Sequence, residues 1–369
     1  MNPADAIQDK IEIEVQPRAR VRSMPEYHPP LGHRDRLRLD FNENTLACSH
    51  AVMTALENIS AADLTRYPER EPVEALAASH LGLEPRHVVL TNGVDEAIHV
   101  LCQAFLDADD EILLPVPTYT MYEIYASSTD ATLRKVQAAE DFQFPFIALL
   151  DVINPKTKII AIANPNSPTG TIATREQILA IAQAAPQAIV LVDEAYFHFH
   201  GGTVIDCIGI VPNLVVARTF SKGYGLAGLR LGLLAGPEPL LAWVRRVLSP
   251  YSVNSIALVA LTAALADQSY LDWYVHQVKQ ARADFLVGLR QLGLQFWPTQ
   301  ANFVLVNIGS EHKQFVAWMR EHAILVRDRS ADPGCEGCVR ITIGTPEQMR
   351  GALSAVESFR KFQSSGASR

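Results

Sequence analysis

An α/β chain, with a large domain whose mainly parallel sheet is flanked by helices and a small α+β domain following it, is the fold class this sequence predicts. Three observations predict it. Short runs of Val, Ile and Leu alternate with helical patterns from Val88 to Gly236, the pattern of βαβ units, whose crossovers place helices on both faces of a parallel sheet. That pattern stops after a long helical stretch from about Tyr270 to Leu292 and gives way to shorter, mixed elements. Finally, 369 residues with 48% apolar composition can bury a large core and a second, smaller one.

Taken in order, the segment up to about Ala51 is rich in Pro, Arg and His and is expected to pack beside the small domain. The chain then divides into an arm over 1–51, a large domain over 52–266 and a small domain over 267–369. Strand candidates in the large domain are "HVVLT", "EILLP", "TKIIAIANP", "AIVLVDEAY", "NLVVART" and "LRLGLLAG". "VDEAIHVLCQAF" predicts a helix because Val94, Ile98, Leu101 and Phe105 recur at helical spacing, and "TREQILAIAQAA" predicts another. The small domain reads "ANFVLVNI", a helix around "KQFVAWMREH", "AILVRD", "VRITIG" and a last helix "EQMRGALSAVESFRKF", after which "SSGAS" is expected to fray.

Composition narrows the function. A net charge of -8 with scattered Lys and Arg leaves no basic stripe, which argues against a nucleic-acid or membrane surface. The opening "MNPADAIQDKIEIEVQPRAR" is too polar for a secretory segment, and no apolar run approaches the roughly 18 residues of a membrane span, so a cytoplasmic enzyme is expected. Five cysteines do not make a disulfide framework. Cys335 and Cys338 form one C-x-x-C without a second pair, and His198 and His200 in "FHFH", expected to share one side of a strand, lack a third ligand, so no metal is expected.

"RTFSKGYGLAGLRLG" carries two signals. Gly223, Gly225 and Gly228 have the spacing of a dinucleotide loop, but that reading requires a helix straight after the glycines and an acid about 20 residues beyond the first. Here a strand pattern follows, and the position twenty on from Gly223 is Trp243. Lys222 fits better, because it follows a buried-type strand and precedes a nearly uncharged run, where desolvation loosens the amine's proton as a Schiff-base lysine requires. Asp193 closes the strand "AIVLV", where it can pair with a pyridinium nitrogen; Asp193 and Glu194 can equally cap the segment that follows. Tyr196 can hydrogen-bond a phenolic oxygen. Arg230 is eight residues from Lys222, and the intervening glycines allow the backbone to fold back so that Ser221, Lys222 and Arg230 meet one small anion. Gly93 stands at a strand-to-helix junction, where free N–H groups favour an anion.

"LDFNEN", "RYPE", "TNGVDEAI", "PTYTMY", "NPNSPTG", "VDEAY", "RTFSKGYGLAGLRLG", "ANF", "LVRD" and "RITIGTPE" occur in that order. In this the chain resembles the fold-type I pyridoxal-phosphate-dependent aminotransferases, from about Met24 to the last helix. The resemblance implies pyridoxal 5'-phosphate as cofactor, tied to Lys222, which also moves the substrate proton. It implies Asp193 on the pyridine nitrogen, Tyr196 on the phenolic oxygen, Tyr119 stacked on the ring, and Gly93, Val94, Asp95, Ser221 and Arg230 around the phosphate. Tyr67 would reach the coenzyme of a neighbouring subunit in a homodimer. Arg327 and Arg340 would face the substrate, with Tyr27 and Asn44 as further substrate-side candidates. The substrates implied are a small amino donor, a phosphorylated amine, and a 2-oxo acid acceptor.

Two positions depart from the family pattern. Ser167 stands where relatives carry Asn before "PTG", so either Asn166 shifts into that role or the serine hydroxyl serves, and Thr45 follows Asn44 where relatives have Pro. Aromatic aminotransferases and phosphothreonine-type decarboxylases share the scaffold and remain competing readings. A nicotinamide oxidoreductase rests on the glycine spacing alone. A coenzyme-binding regulator would need a helix-turn-helix for which the short polar start leaves no room.

Overall fold

The computed structural model describes residues 15–32 and 35–366. Twelve strands lie among them: β1 (Leu37–Leu39), β2 (Val88–Thr91), β3 (Glu111–Val116), β4 (Thr132–Gln137), β5 (Thr157–Ala163), β6 (Ile189–Asp193), β7 (Leu214–Thr219), β8 (Gly232–Ala235), β9 (Gln295–Phe296), β10 (Phe303–Asn307), β11 (Ile324–Asp328) and β12 (Cys338–Thr342). Seven form one sheet in the order β2-β8-β7-β6-β5-β3-β4, and five form a second, β1-β11-β12-β10-β9. In the large sheet β8 is antiparallel to β7 and β2, and every other pairing is parallel.

The central strands are buried along their whole length, which is why they read as continuous apolar runs rather than alternating ones. Val190 and Val192 of β6 point into one core cluster, and Ile189 and Leu191 into the other on the opposite face. Each such side chain contributes about 1.5–3 kcal/mol by leaving water. β4 was not among the predicted strands. It is an edge strand, "TLRKVQ", in which Val136 alone is buried, and a solvated, charged edge lacks the apolar run that marks its neighbours.

Register gathers the strand ends. Ala163, Asp193 and Ala217 are consecutive partners across β5, β6 and β7. Because β8 reverses, Thr219 faces Gly232, which in turn faces Thr91 at the end of β2. The segments that follow β2, β3, β5, β6 and β7 therefore leave one edge together, the edge where ligands of such sheets bind.

The helix Ser255–Ala266 ends at Asp267, whose side chain accepts from the Tyr270 N–H and starts the 24-residue helix Gln268–Gln291. From the N-terminal segment, β1 adds to the small sheet, parallel to β11. Two expectations change. His198 and His200 lie in the short helix Phe197–His200, not on a strand, and the half-buried His198 has a buried Nδ1 with no partner. The last helix runs through Gly366, so the first residues of the tail extend it; 367–369 and 1–14 lie outside the described residues. Among the described residues no helix is long and apolar enough to cross a membrane, and no group of three or more His, Cys, Asp or Glu is placed to hold a metal.

Candidate active site

Asp193 ends β6 almost wholly buried. One of its oxygens accepts the Ala195 N–H at 3.0 Å, the local turn bond that a capping role would also make, and the other accepts the Tyr122 hydroxyl at 2.6 Å. Burial pushes the carboxyl up to about 6, while Tyr122 and the Ala195 N–H pull it down and Asp95 and Glu194 raise it further. Glu194 turns the other way. It takes Arg218 at 2.6 Å, with Thr203 and the Val204 N–H, and the Arg218 guanidinium lies 3.5 Å from the Phe197 ring centroid. This buried ion pair ties the segment after β6 to the end of β7.

Lys222 follows β7 and donates from Nζ to the Phe41 carbonyl at 2.9 Å. The chain then folds back, and the Leu226 N–H returns to the Phe220 carbonyl. Of the three glycines credited with this reversal, only Gly225 takes a left-handed conformation (φ +74°); Gly223 and Gly228 do not. A Cβ on Gly225 would stand 2.7 Å from the Ala47 carbonyl oxygen, so the residue is also held to glycine by close approach. Arg230 itself adopts φ +54°. Its guanidinium reaches Asp95 at 3.0 Å and the Ala227 carbonyl at 3.1 Å. Gly93 lies against it: a Cβ there would be 2.6 Å from Arg230 Nη2. Gly93 opens the helix Gly93–Phe105, which has no side-chain N-cap, so the first-turn N–H groups of Val94 and Asp95 remain available to an anion. Ser221 is buried nearby, its N–H on the Thr219 hydroxyl.

Tyr119 donates to Asp95 at 2.9 Å, and burial together with Asp95 raises its hydroxyl pKa. The Tyr196 hydroxyl accepts from the Asn42 amide at 2.9 Å, and its ring packs edge-on against Phe303. Asn166 is fully engaged by Thr118, Thr169 and the Pro117 carbonyl. Ser167 instead accepts from Arg340 at 2.9 Å, whose other end reaches the Asp40 carbonyl at 2.7 Å. Burial, with Arg329 and Arg327 nearby, lowers the Arg340 pKa to about 10. Arg327 pairs with Arg340 across β11 and β12 and donates to the Tyr27 hydroxyl at 3.2 Å. Asn44 donates to the Gly223 carbonyl and the Tyr270 hydroxyl and accepts the Leu46 N–H. Thr45 ties to Tyr274 and Gln348. Tyr67 is 79% exposed, its ring 4.4 Å from that of Tyr251.

The family model for aminotransferase class I and II matches residues 34–356. The chain belongs to that family. It is 33% identical over 318 residues to a histidinol-phosphate aminotransferase of Thermoanaerobacter sp. (strain X514), covering 85% of this chain and 90% of the relative. A second relative of the same name, from Geobacillus sp. (strain WCH70), is 32% identical, with 95% and 99% covered. The fold matches a histidinol-phosphate aminotransferase from Sinorhizobium meliloti, solved with pyridoxal-5'-phosphate, at a TM-score of 0.85 and 24% identity over 94% of this chain and 98% of that one.

The aminotransferase is a pyridoxal-phosphate enzyme, and its residues suit that coenzyme. A buried acid, a half-buried amine, and an uncapped helix start with glycine beside an arginine match the coenzyme's ring nitrogen, aldehyde and phosphate in chemistry. Two residues escaped sequence reasoning. Tyr122 lies in "PTYTMY" three residues after Tyr119, and only its hydrogen bond to Asp193 reveals it. Asn42 lies in "LDFNEN", two residues before the asparagine that was chosen.

Proposed function

We propose that this aminotransferase exchanges an amino group between histidinol phosphate and 2-oxoglutarate, giving imidazole acetol phosphate and glutamate, the reaction running towards histidinol phosphate in biosynthesis. The observation that carries the substrate is the pair Arg327 and Arg340. Each keeps one buried N–H without a partner in the protein, a charged donor left for an oxygen of a phosphate or carboxylate. The names of the relatives support the same substrate.

When bound, pyridoxal phosphate supplies an aldehyde that condenses with amines and a protonated ring that withdraws electrons. The chain does the rest. Lys222 Nζ would hold that aldehyde and, once an incoming amine has displaced it, would move the proton between the substrate α-carbon and the coenzyme C4′. Asp193 would hold the proton on the ring nitrogen, and the Tyr122 hydroxyl keeps the Asp193 carboxylate oriented. Tyr196 donates to the phenolic oxygen, supported by Asn42; Asn166 is occupied by its own partners and Ser167 serves Arg340, so neither fills the place of the usual asparagine. Tyr119 covers the ring face, and Gly93, Val94, Asp95, Ser221 and Arg230 take the phosphate. Tyr27 orients Arg327 at the substrate end, and Asn44 steadies the loop carrying Lys222.

The same reading assigns an arm over 1–51 that packs with a small domain over 267–369, a large domain over 52–266, a cytoplasmic location, and a homodimer in which the exposed Tyr67 serves the neighbouring subunit. The test is a donor screen on the coenzyme-loaded enzyme. Histidinol phosphate should far outpace phenylalanine in producing glutamate from 2-oxoglutarate. Release of carbon dioxide from a phosphorylated amino acid, or preference for phenylalanine, would overturn the substrate assignment.

A further inference from the structure

Besides Arg329, which is ion-paired with Asp332, three guanidinium groups share one face of the small sheet. β1 runs in parallel register with β11, placing Arg38 opposite Leu325, and paired residues share a face of a sheet. Arg327 is two residues beyond Leu325 and so lies on that face, and Arg340 is its partner across β11 and β12. The Arg38 guanidinium is 4.7 Å from the Phe41 ring centroid and that of Arg327 is 5.5 Å from the same centroid. The carbonyl of Phe41 receives Lys222. Arg38 therefore stands around the same residue as Arg327 and the lysine.

Each of the three keeps an unspent, buried nitrogen: Nη2 of Arg38, Nη1 of Arg327 and Nε of Arg340. Unpaired donors on gathered like charges are costly unless an anion completes them. The acids next to Arg38 do not use up its donors. Asp40 and Glu43 stand at 3.4 and 3.5 Å from Nε alone, long beside the about 2.7–2.9 Å of a charge-assisted bond. They offset its charge and leave Nη2 free.

We propose that Arg38 is a third anion-recognising residue of this site, which matches the substrate end to a dianionic phosphate monoester rather than to a single carboxylate. The proposal rests on the reading that the donor is a phosphorylated amine. A carboxylate offers two oxygens and is filled by one fork; a phosphate monoester offers three oxygens and nearly two charges, so a third guanidinium has something to bind.

The test compares histidinol phosphate with histidinol as donors, for wild type, Arg38→Gln and Arg38→Lys, with inorganic phosphate as a competitive probe. For Arg38→Gln the loss in kcat/KM is expected to be at least about tenfold larger for the phosphorylated donor than for histidinol, residing mainly in KM, and the inhibition constant of inorganic phosphate should rise in step. Arg38→Lys, which keeps charge and length but loses the fork, should recover part of that selectivity, and it serves as the reading if Arg38→Gln fails to fold. Equal losses for both donors, or an unchanged phosphate inhibition constant, would mean that Arg38 only braces β1 and would overturn the proposal. If wild type itself does not prefer the phosphorylated donor, the substrate assignment fails and takes this proposal with it. A preference in wild type that survives in both variants overturns the role of Arg38 alone.

Discussion

The coenzyme end and the substrate end of this site are built on opposite principles. At the carboxyl edge of the large sheet, the acids are paired within the protein: Asp193 with Tyr122 and Ala195, Asp95 with Tyr119 and Arg230, Glu194 with Arg218. On the facing side of the small sheet, Arg38, Arg327 and Arg340 each retain a buried nitrogen with nothing bound to it. On the proposed reading the first end would hold a resident molecule through the cycle, and the second would be completed by a passing anion that supplies the missing bonds.

Four experiments can break or sharpen that contrast. The largest effect is expected from Asp193→Ala, which removes the acid proposed for the ring nitrogen: kcat should fall on the order of 10³-fold, and a loss below about tenfold in single-turnover assays would show that the ring charge is balanced elsewhere. Next comes Arg340→Gln. It strips a buried charge from Ser167 and the Asp40 carbonyl, and kcat/KM for the phosphorylated donor should drop by roughly 10²-fold, with the absorption of the bound coenzyme unchanged. A shifted coenzyme spectrum would show that the two ends are not separable.

Tyr122→Phe should act on the coenzyme end alone. Losing one bond to a charged oxygen costs about 1.5–3 kcal/mol, so coenzyme affinity, measured by titration of the coenzyme-free protein, should weaken by about tenfold or more, while the ratio of kcat/KM between phosphorylated and unphosphorylated donors stays put. A change in that ratio would contradict the division.

The smallest effect concerns pH. Burial raises the folded-state pKa of Asp193 from 3.8 to about 6, so the folded, coenzyme-free protein binds this proton more tightly than the unfolded chain. Its contribution to stability is present below about 4 and is lost as pH rises through about 6, by up to ~3 kcal/mol. Thermal unfolding of coenzyme-free wild type should therefore decline from pH 5 to pH 8 relative to Asp193→Asn, and coenzyme should cancel the difference. Parallel pH profiles would mean that Asp193 is solvated once the coenzyme is gone.

What the amino-acid order determined by itself is local chemistry at strand ends. Asp193 was legible as the end of a continuous apolar run, and Lys222 as a lysine three residues beyond another strand, because such runs are buried along their length. Gly93 was legible as a strand-to-helix junction, and a helix does open there. Edge strand β4 was not, since solvent lets its side chains be polar. Only the tertiary structure decided which partners these residues take. Tyr122 reaches Asp193 across 71 residues, Asn42 reaches Tyr196 across 154 and Arg340 reaches Ser167 across 173. It also decided that Arg230, not a further glycine, completes the reversal after Lys222, and that Arg38 shares a sheet face with Arg327. Such pairings depend on strand register and on how two sheets meet, which arise from the packing of the whole core and leave no periodic trace in any one segment.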